Sequence, residues 1–274
     1  MAPQDQILAL GTSQITVLSD GWTEMGNEIF PDFDPACLDY EPTPTIRLEI
    51  AAFLIRHAGR VVLVDTGSDD GMGDRAGRFH QSLAAANCAP GDIDQIVITH
   101  LHGDHYGGLL TPEGQVAFPR ARLIMSKAEY RHKHDADVYA ELPSQKRASI
   151  DRARSAVAPY AGRIDLVQDG DSIAPGLSVM ALPGHTPGHI GLSLTSGDMA
   201  VLIWGDLVHY PAYQMANPDW SVIYDTDPDQ AAETRKKMLV KAAQDHSLIL
   251  GSHLGARGFS RVVADGQGFR LVSA

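Results

Sequence analysis

An H-x-H-x-D-H string at positions 100–105 constrains this chain more than any other feature. It directly follows the apolar run Ile96–Thr99, which is predicted to be a β-strand. His100 and His102 stand two residues apart on an extended segment, so both imidazoles should project to the same side. Nitrogen donors in this arrangement are typical of sites for Zn²⁺, Fe²⁺ or Mn²⁺.

The second half of the string is expected to serve a neighbouring metal position. Gly103 should turn the chain sharply, so that Asp104 and His105 point to a second, adjacent site. One strand end does not close a metal site, and the remaining donors should follow other strands. Three candidates each stand one to three positions beyond an apolar run: His185, Asp206 and His253. A single histidine of this kind is more often a hydrogen-bonded turn residue, but four strand ends with the same arrangement favour a metal site. His189, which begins a strand, is expected to hydrogen-bond near the site instead of binding metal.

Short apolar runs alternate irregularly with helical patterns, which is typical of a layered α/β architecture. The predicted strands are Ile15–Leu18, Arg47–Arg56, Arg60–Asp65, Ile96–Thr99, Arg122–Met125, Leu177–Leu182, Ile190–Leu194, Met199–Trp204 and Leu248–Leu250. The predicted helices are Arg75–Ala86, Lys127–Tyr139, Gln145–Ala156 and Gln230–Asp245, the last capped by Asp227. Residues 22–44 lack periodicity and are predicted to form a long loop, and residues 69–74 a solvated loop. The chain should divide near residue 160.

The motifs, taken in order, resemble the metallo-β-lactamase superfamily. The resemblance rests on Asp65-Thr66-Gly67, the string at 100–105, Gly184-His185-Thr186-Pro187-Gly188-His189, Gly205-Asp206 and His253. It implies an αββα sandwich of two mixed β-sheets flanked by helices, formed by residues 1–274 as one domain, with the strand and loop of residues 1–44 near the site. It also implies two metal positions, one held by His100, His102 and His185 and the other by Asp104, His105 and His253. Asp206 would bridge the two, and Asp65 would steady the ligand loop.

A second set of residues resembles the branch of that superfamily which holds N-acyl homoserine lactonases and methyl-parathion-type hydrolases. The set is His209-Tyr210-Pro211-Ala212, Asn217-Pro218-Asp219-Trp220, Asp225-Thr226-Asp227-Pro228 and Thr234-Arg235. Many smaller lactonases have a tyrosine three residues after the bridging aspartate, where this chain has His209. The resemblance implies a hydrolase of a lactone or related ester, as in quorum quenching. A phosphotriesterase or arylesterase on the same site is the alternative, and a glutathione thioesterase or a non-catalytic, metal-stabilised module stays open.

Such an enzyme would take two divalent cations, Zn²⁺ in the first instance and Fe, Mn or Co otherwise. Two ions that share a water would lower the pKa of that water towards 7, which would supply hydroxide for attack on the carbonyl carbon. Asp104 is the candidate catalytic residue, which would hold the nucleophile's proton and pass it to the leaving group. The candidate substrate-binding residues are Phe30, Phe33, Tyr106, His209, Tyr210 and Tyr213, with Trp22 as a further pocket residue. The other interpretation of these aromatic residues is that they pack the loops onto the sandwich or form a homodimer contact.

Composition excludes several other classes of function. With 22 Lys and Arg against 34 Asp and Glu, the formal net charge is −12, which disfavours a nucleic-acid partner. The two cysteines, Cys37 and Cys88, are far apart and indicate neither a disulfide scaffold nor a thiolate metal site. No apolar run is long enough to span a membrane, and the first residues do not resemble a signal peptide. A cytoplasmic enzyme that acts on a small molecule is therefore expected.

Overall fold

The computed structural model describes residues 7–68, 72–254 and 258–274. In this part of the chain the strands are β1 Ile7–Leu10, β2 Ser13–Gly26, β3 Thr45–His57, β4 Arg60–Val64, β5 Gln95–Val97, β6 Arg122–Ser126, β7 Ile164–Val167, β8 Ser172–Ala174, β9 Leu177–Ala181, β10 Ile190–Ser196, β11 Met199–Ile203, β12 Leu248–Leu250, β13 Ser260–Asp265 and β14 Gly268–Ser273. The helices are α1 Phe79–Ala85, α2 Gly103–Tyr106, α3 Lys127–His134, α4 Ala136–Glu141, α5 Ser144–Val157, α6 Pro211–Gln214 and α7 Pro228–Gln244. The start of the chain and the first half of the predicted solvated loop at 69–74 lie outside the described residues.

The strands form two seven-stranded sheets that pack face to face. Their orders are β1-β2-β3-β4-β5-β6-β7 and β14-β13-β12-β11-β10-β9-β8. Both sheets are mixed, since β4 to β7 run parallel, as do β11 and β12, while the other pairs are antiparallel. Helices α1 and α5 pack on the outer face of the first sheet and α7 on that of the second. The αββα sandwich expected from the resemblance is thereby confirmed.

Strand β3 shows how the sequence produces these layers. Successive side chains of a strand point to opposite faces of its sheet. Accordingly Ala52 and Leu54 pack beneath the helices of the first sheet. Phe53 and Ile55 pack instead into the core between the two sheets. Strand β3 is therefore apolar on both faces along this part of its length.

The long loop predicted for residues 22–44 is wrong over its first five residues, because β2 continues to Gly26 and pairs with β3. The register shifts between Ser19 and Gly21, and Gly21 has a φ of +122°. A bulge of this kind inserts one residue and moves the later side chains to the opposite face. It hides the period-two pattern by which a strand is recognised.

Helix boundaries differ most from the prediction at two places. The helix predicted from residue 75 begins at Phe79, and the one predicted for 127–139 is two helices. Asp135 separates them with an extended conformation, and its carboxylate accepts hydrogen bonds from the first backbone N–H groups of α4. The predicted cap of α7 is confirmed, since Asp227 accepts from the N–H of Gln230. The sequence prediction omitted five strands, β1, β7, β8, β13 and β14.

In the described part of the chain, no helix is both long and apolar enough to cross a membrane.

Candidate metal centre

The predicted metal ligands all follow the carboxyl ends of strands. Strand β5 leads to His100, β9 to His185, β11 to Asp206 and β12 to His253. Parallel neighbours end at the same edge of a sheet, as β4 and β5 do in one sheet and β11 and β12 in the other. The face-to-face packing of the sheets brings the two edges together.

The first group contains three histidines. The Nε2 atom of His100 lies 3.0 Å from Nδ1 of His102, which lies 3.0 Å from Nε2 of His185. The two Nε2 atoms of His100 and His185 are 3.2 Å apart. Burial, reinforced by the neighbouring imidazoles, holds the pKa of His100 and of His102 well below its ordinary value. Both rings are therefore neutral at pH 7, which is the form that binds a metal.

The second group lies beside the first and begins on α2. The Oδ2 atom of Asp104 is 3.6 Å from Nε2 of His105 and 3.6 Å from Nε2 of His253. Burial alone would lower the pKa of His105, but the carboxylates of Asp206, Asp104 and Asp65 outweigh it and raise that pKa well above its ordinary value. The same competition, with Asp206 as the main partner, raises the pKa of His253 to about 9. The carboxylates around His105 and His253 thus favour positive charge at the second group.

The turn at Gly103 is not made in the predicted way. Gly103 has no left-handed φ, and a Cβ built on it would meet nothing within 4 Å. The chain turns because α2 begins there, with His102 as its extended N-terminal residue. The first helical turn then places Asp104 and His105 next to the histidines.

Asp206 lies between the two groups. Its Oδ2 atom is 3.6 Å from Nε2 of His100, 3.4 Å from Nε2 of His185 and 3.2 Å from Nε2 of His253. Its Oδ1 atom is 3.2 Å from Nε2 of His105. Burial opposes ionisation of this carboxyl, but the surrounding histidines keep its pKa well below the ordinary value.

The donor set fits divalent cations on the evidence of two unsatisfied atoms. His105 Nε2 and Asp206 Oδ1 are buried and have no hydrogen-bond partner in the described structure, although they face each other. Buried polar atoms are rarely left in that state, and a bound ion is one of the accepted explanations. Imidazole nitrogens and carboxylate oxygens are ligands that Zn²⁺ and related ions accept.

Three outer contacts hold ligand rings in orientation. Asp65 Oδ2 is 2.8 Å from Nδ1 of His105, Asp225 Oδ1 is 2.8 Å from Nδ1 of His185, and the carbonyl of Glu49 is 2.6 Å from Nδ1 of His253. In each case the contact leaves Nε2 free for a metal. Of these three residues, the sequence resemblance implied such a role for Asp65 only. Asp225 belongs to the residues that resemble the lactonase branch, but the sequence assigns it no role. A backbone carbonyl such as that of Glu49 carries no sequence signal.

His189 hydrogen-bonds as the sequence predicts. Its Nδ1 atom lies 3.0 Å from the carbonyl of Leu182, and its Nε2 accepts the backbone N–H of Asp206 at 3.2 Å. Burial lowers the pKa of His189 to about 3, so this ring is a neutral acceptor.

His209 lies against three of the predicted metal ligands, His185, Asp206 and His253. Its Nε2 atom is 3.3 Å from Asp206 Oδ2, and its ring stacks on His253 with centroids 5.3 Å apart. Both ring nitrogens are buried without a hydrogen-bond partner among the described residues. Burial lowers the pKa of His209 to about 4. His209 also forms a group with His185 and Asp206 whose ligand atoms lie within 4.8 Å of one another.

The predicted aromatic residues separate into three places. Phe30, Phe33, Tyr210 and Tyr213 form one cluster with Trp220, which we call the aromatic wall. Its ring centroids are 4.7 to 5.8 Å apart, with Tyr213 at the centre. Tyr106 lies instead in the apolar core beneath the first sheet. Trp22 belongs to β2, where the guanidinium groups of Arg47 and Arg75 flank its ring.

Comparisons with known proteins agree with this geometry. A family model of the metallo-beta-lactamase superfamily matches residues 46–253. An N-acyl homoserine lactonase from a Bacillus species is 25% identical over 174 residues, which are 55% of this chain and only 60% of that relative's length.

Two solved structures match almost the whole chain. AidC, described as a dizinc quorum-quenching lactonase in complex with its N-hexanoyl-L-homoserine product, has a TM-score of 0.90 at 25% identity, over 98% of this chain and 97% of its own. The hydrolase AbOPH of the beta lactamase superfamily also has a TM-score of 0.90, at 29% identity over 100% and 98% of the two chains. Because the family model spans most of its length, this chain belongs to the metallo-beta-lactamase superfamily.

Proposed function

We propose that this protein is a dinuclear metal-dependent hydrolase that opens the ring of N-acyl homoserine lactones or cleaves a closely related ester. The observation that carries the proposal is the meeting of two donor groups at one carboxylate, that of Asp206. The similarity to AidC over nearly the full chain supports the substrate class and makes Zn²⁺ the metal we propose first. The seven proposed ligands are His100, His102, Asp104, His105, His185, Asp206 and His253.

The chain's own residues have distinct parts in such a reaction. Two bound cations would lower the pKa of a shared water and polarise the ester carbonyl. Asp104 is the more accessible of the two carboxylates, with 15% of its side chain exposed against 3% for Asp206. It is therefore the group we assign to hold the nucleophile's proton and deliver it to the leaving oxygen.

His209 is assigned to bind the substrate. It stands three residues after Asp206, and neither of its buried ring nitrogens has a hydrogen-bond partner among the described residues, although Nε2 lies 3.3 Å from the Asp206 carboxylate. Since burial keeps its ring neutral, one nitrogen carries a proton and can donate a hydrogen bond to an ester or alkoxide oxygen. The ring would thus stabilise charge that develops on the substrate.

The aromatic wall is assigned to bind the acyl chain. Phe33 is only partly buried, whereas Phe30 and Tyr213 are 1% exposed and support it from behind. An apolar wall with a few polar groups at one end is the usual form of a small-molecule site.

The test combines metal content with turnover. Purified protein should contain two equivalents of Zn²⁺ and hydrolyse N-hexanoyl homoserine lactone much faster than an aryl phosphotriester or an S-acyl glutathione. Asp104→Asn should lower turnover by about 100-fold or more, as loss of a general acid or base does. Asp198→Asn, in an exposed hairpin turn, is the matched control. Metal-loaded protein that leaves the lactone intact, or a faster rate on the phosphotriester, would contradict the proposal.

A further inference from the structure

Arg235 of α7 is a buried arginine that holds one wall of the site. Only 1% of it is exposed, and its Nε donates to the carbonyl of Leu207 at 2.8 Å. Its Nη1 donates to the carbonyls of Pro218 at 2.7 Å and Trp220 at 2.9 Å. These carbonyls belong to residues 207–220, the segment that carries most of the aromatic wall. A guanidinium suits this task because its donors form a rigid, planar fork.

The same guanidinium faces the metal side of the site. Its Nη2 atom lies 3.7 Å from Oδ2 of Asp225, whose side chain is fully buried. The other oxygen of Asp225 contacts Nδ1 of the ligand His185 at 2.8 Å. The positive charge of Arg235 thus balances the carboxylate of Asp225, and that carboxylate orients the proposed ligand His185.

Gln214 extends the contacts of Arg235 on the wall side. Its amide nitrogen donates to the carbonyl of Trp220 at 2.9 Å, the same oxygen that Arg235 binds. Its amide oxygen accepts the backbone N–H of His209 at 2.7 Å. Three hydrogen bonds therefore connect the guanidinium to the backbone of the proposed substrate-binding histidine.

Helix α7 gives Arg235 a fixed base against the ligand loop. The hydroxyl of Thr234 donates to the carbonyl of Pro183 at 2.7 Å, and the N–H of Thr226 donates to the carbonyl of His185 at 2.9 Å. A Cβ on Gly184 would lie 2.2 Å from the backbone nitrogen of Ala231, so helix and loop are in direct contact.

We propose that Arg235 is a positioning residue which couples the orientation of the metal ligand His185 to the placement of the aromatic wall. A change on the metal side then passes through Asp225 and the guanidinium to the carbonyl of Trp220. This inference rests on the proposed function, because that proposal gives the aromatic wall its role in substrate binding. Its test uses no substrate, so a failure to hydrolyse lactones would count against the proposed function alone.

Two spectroscopic readouts test the coupling. The visible absorption of the Co²⁺-loaded protein reports the ligand side. The ¹⁹F resonance of Trp220 in protein labelled with 5-fluorotryptophan reports the wall, since the chain has only three tryptophans to assign. Arg235→Lys keeps a positive charge but loses the fork, and it should change both signals and raise the dissociation constant of Co²⁺ by about 10-fold or more. Arg152→Lys, on the exposed face of α5, is the control.

Asp225→Asn makes the test specific. It should change the Co²⁺ spectrum and also move the Trp220 resonance, and that movement should disappear when Arg235→Lys is already present. An equal movement in both backgrounds, or no movement at all, would overturn the proposal. If Arg235→Lys does not fold, the double comparison is made with Arg235→Gln, which also removes the guanidinium fork. A wild-type chain that binds no Co²⁺ would overturn this inference together with the proposed metal centre.

Discussion

Replacing Asp65 by asparagine should weaken the second metal position selectively. The Asp65 carboxylate is fully buried, and it accepts from the backbone N–H and the hydroxyl of Thr99, each at 2.8 Å. Its Oδ2 also contacts Nδ1 of His105 at 2.8 Å. Asp65 has a φ of +59°, which asparagine tolerates as readily as aspartate, so the substitution adds no backbone strain.

The size of the effect follows from the tautomer of His105. An asparagine that turns its amide nitrogen to His105 forces Nδ1 to accept, and the ring proton then moves to Nε2, the atom that faces Asp104 and Asp206. In the opposite orientation the amide nitrogen of the asparagine faces the backbone N–H of Thr99, so two donors meet there. Either way a buried hydrogen bond to a charged group is lost, at a cost of about 1.5–3 kcal/mol. Since each 1.4 kcal/mol is tenfold in affinity, the second cation should bind about 10- to 100-fold more weakly.

Calorimetric titration of the metal-free protein with Zn²⁺ measures this directly. We expect one binding step of unchanged affinity, from His100, His102 and His185, and one weakened step. Asp198→Asn provides the charge-matched surface control. Two steps with wild-type affinities in Asp65→Asn would refute the reasoning about the His105 tautomer.

Three further predictions concern packing, pH and substrate binding. Gly103→Ala should leave stability and metal affinity unchanged, whereas Gly188→Ala, whose Cβ would lie 2.0 Å from the backbone nitrogen of Glu129, should lower the urea midpoint strongly. Burial raises the pKa of Tyr160 to about 12, so its contribution to stability is full below pH 10 and is lost as the pH rises towards 12. Tyr160→Phe removes a buried hydrogen bond to a backbone carbonyl, so the variant should be about 1 kcal/mol less stable than the wild type at pH 8. Its free energy of unfolding, measured with denaturant, should approach that of the wild type by pH 11. A difference that stays constant with pH would contradict the pKa assignment. Phe33→Ala should raise KM for a decanoyl lactone more than for a butanoyl lactone, and equal effects would show that Phe33 does not contact the acyl chain.

The layers of this fold could be predicted from the sequence, but several strands could not. Runs such as Met199–Ile203 are apolar enough to identify a buried strand from composition alone. Strands β13 and β14 alternate weakly and carry charged residues such as Asp265 and Arg270, because β14 is the edge strand of the second sheet and β13 lies next to it. The bulge beside Gly21 reversed the pattern of β2, and no local signal reveals such a shift.

The candidate metal ligands could be predicted from the sequence because each one has a side chain that binds metals and follows a strand. The residues that orient them are harder to find, since their role depends on distant contacts. Asp225 is 40 positions from His185, and Arg235 acts on carbonyl groups that any residue type would supply. Tyr106 stands next to the ligand string and is buried in the apolar core, a placement that its position in the sequence does not reveal.

Anomalous diffraction from crystals of the Zn²⁺-loaded protein tests the central claim most directly. We predict two peaks per chain on either side of the Asp206 carboxylate, one within reach of His100, His102 and His185 and the other within reach of Asp104, His105 and His253. A single peak under saturating Zn²⁺, or a second peak away from Asp206, would contradict it.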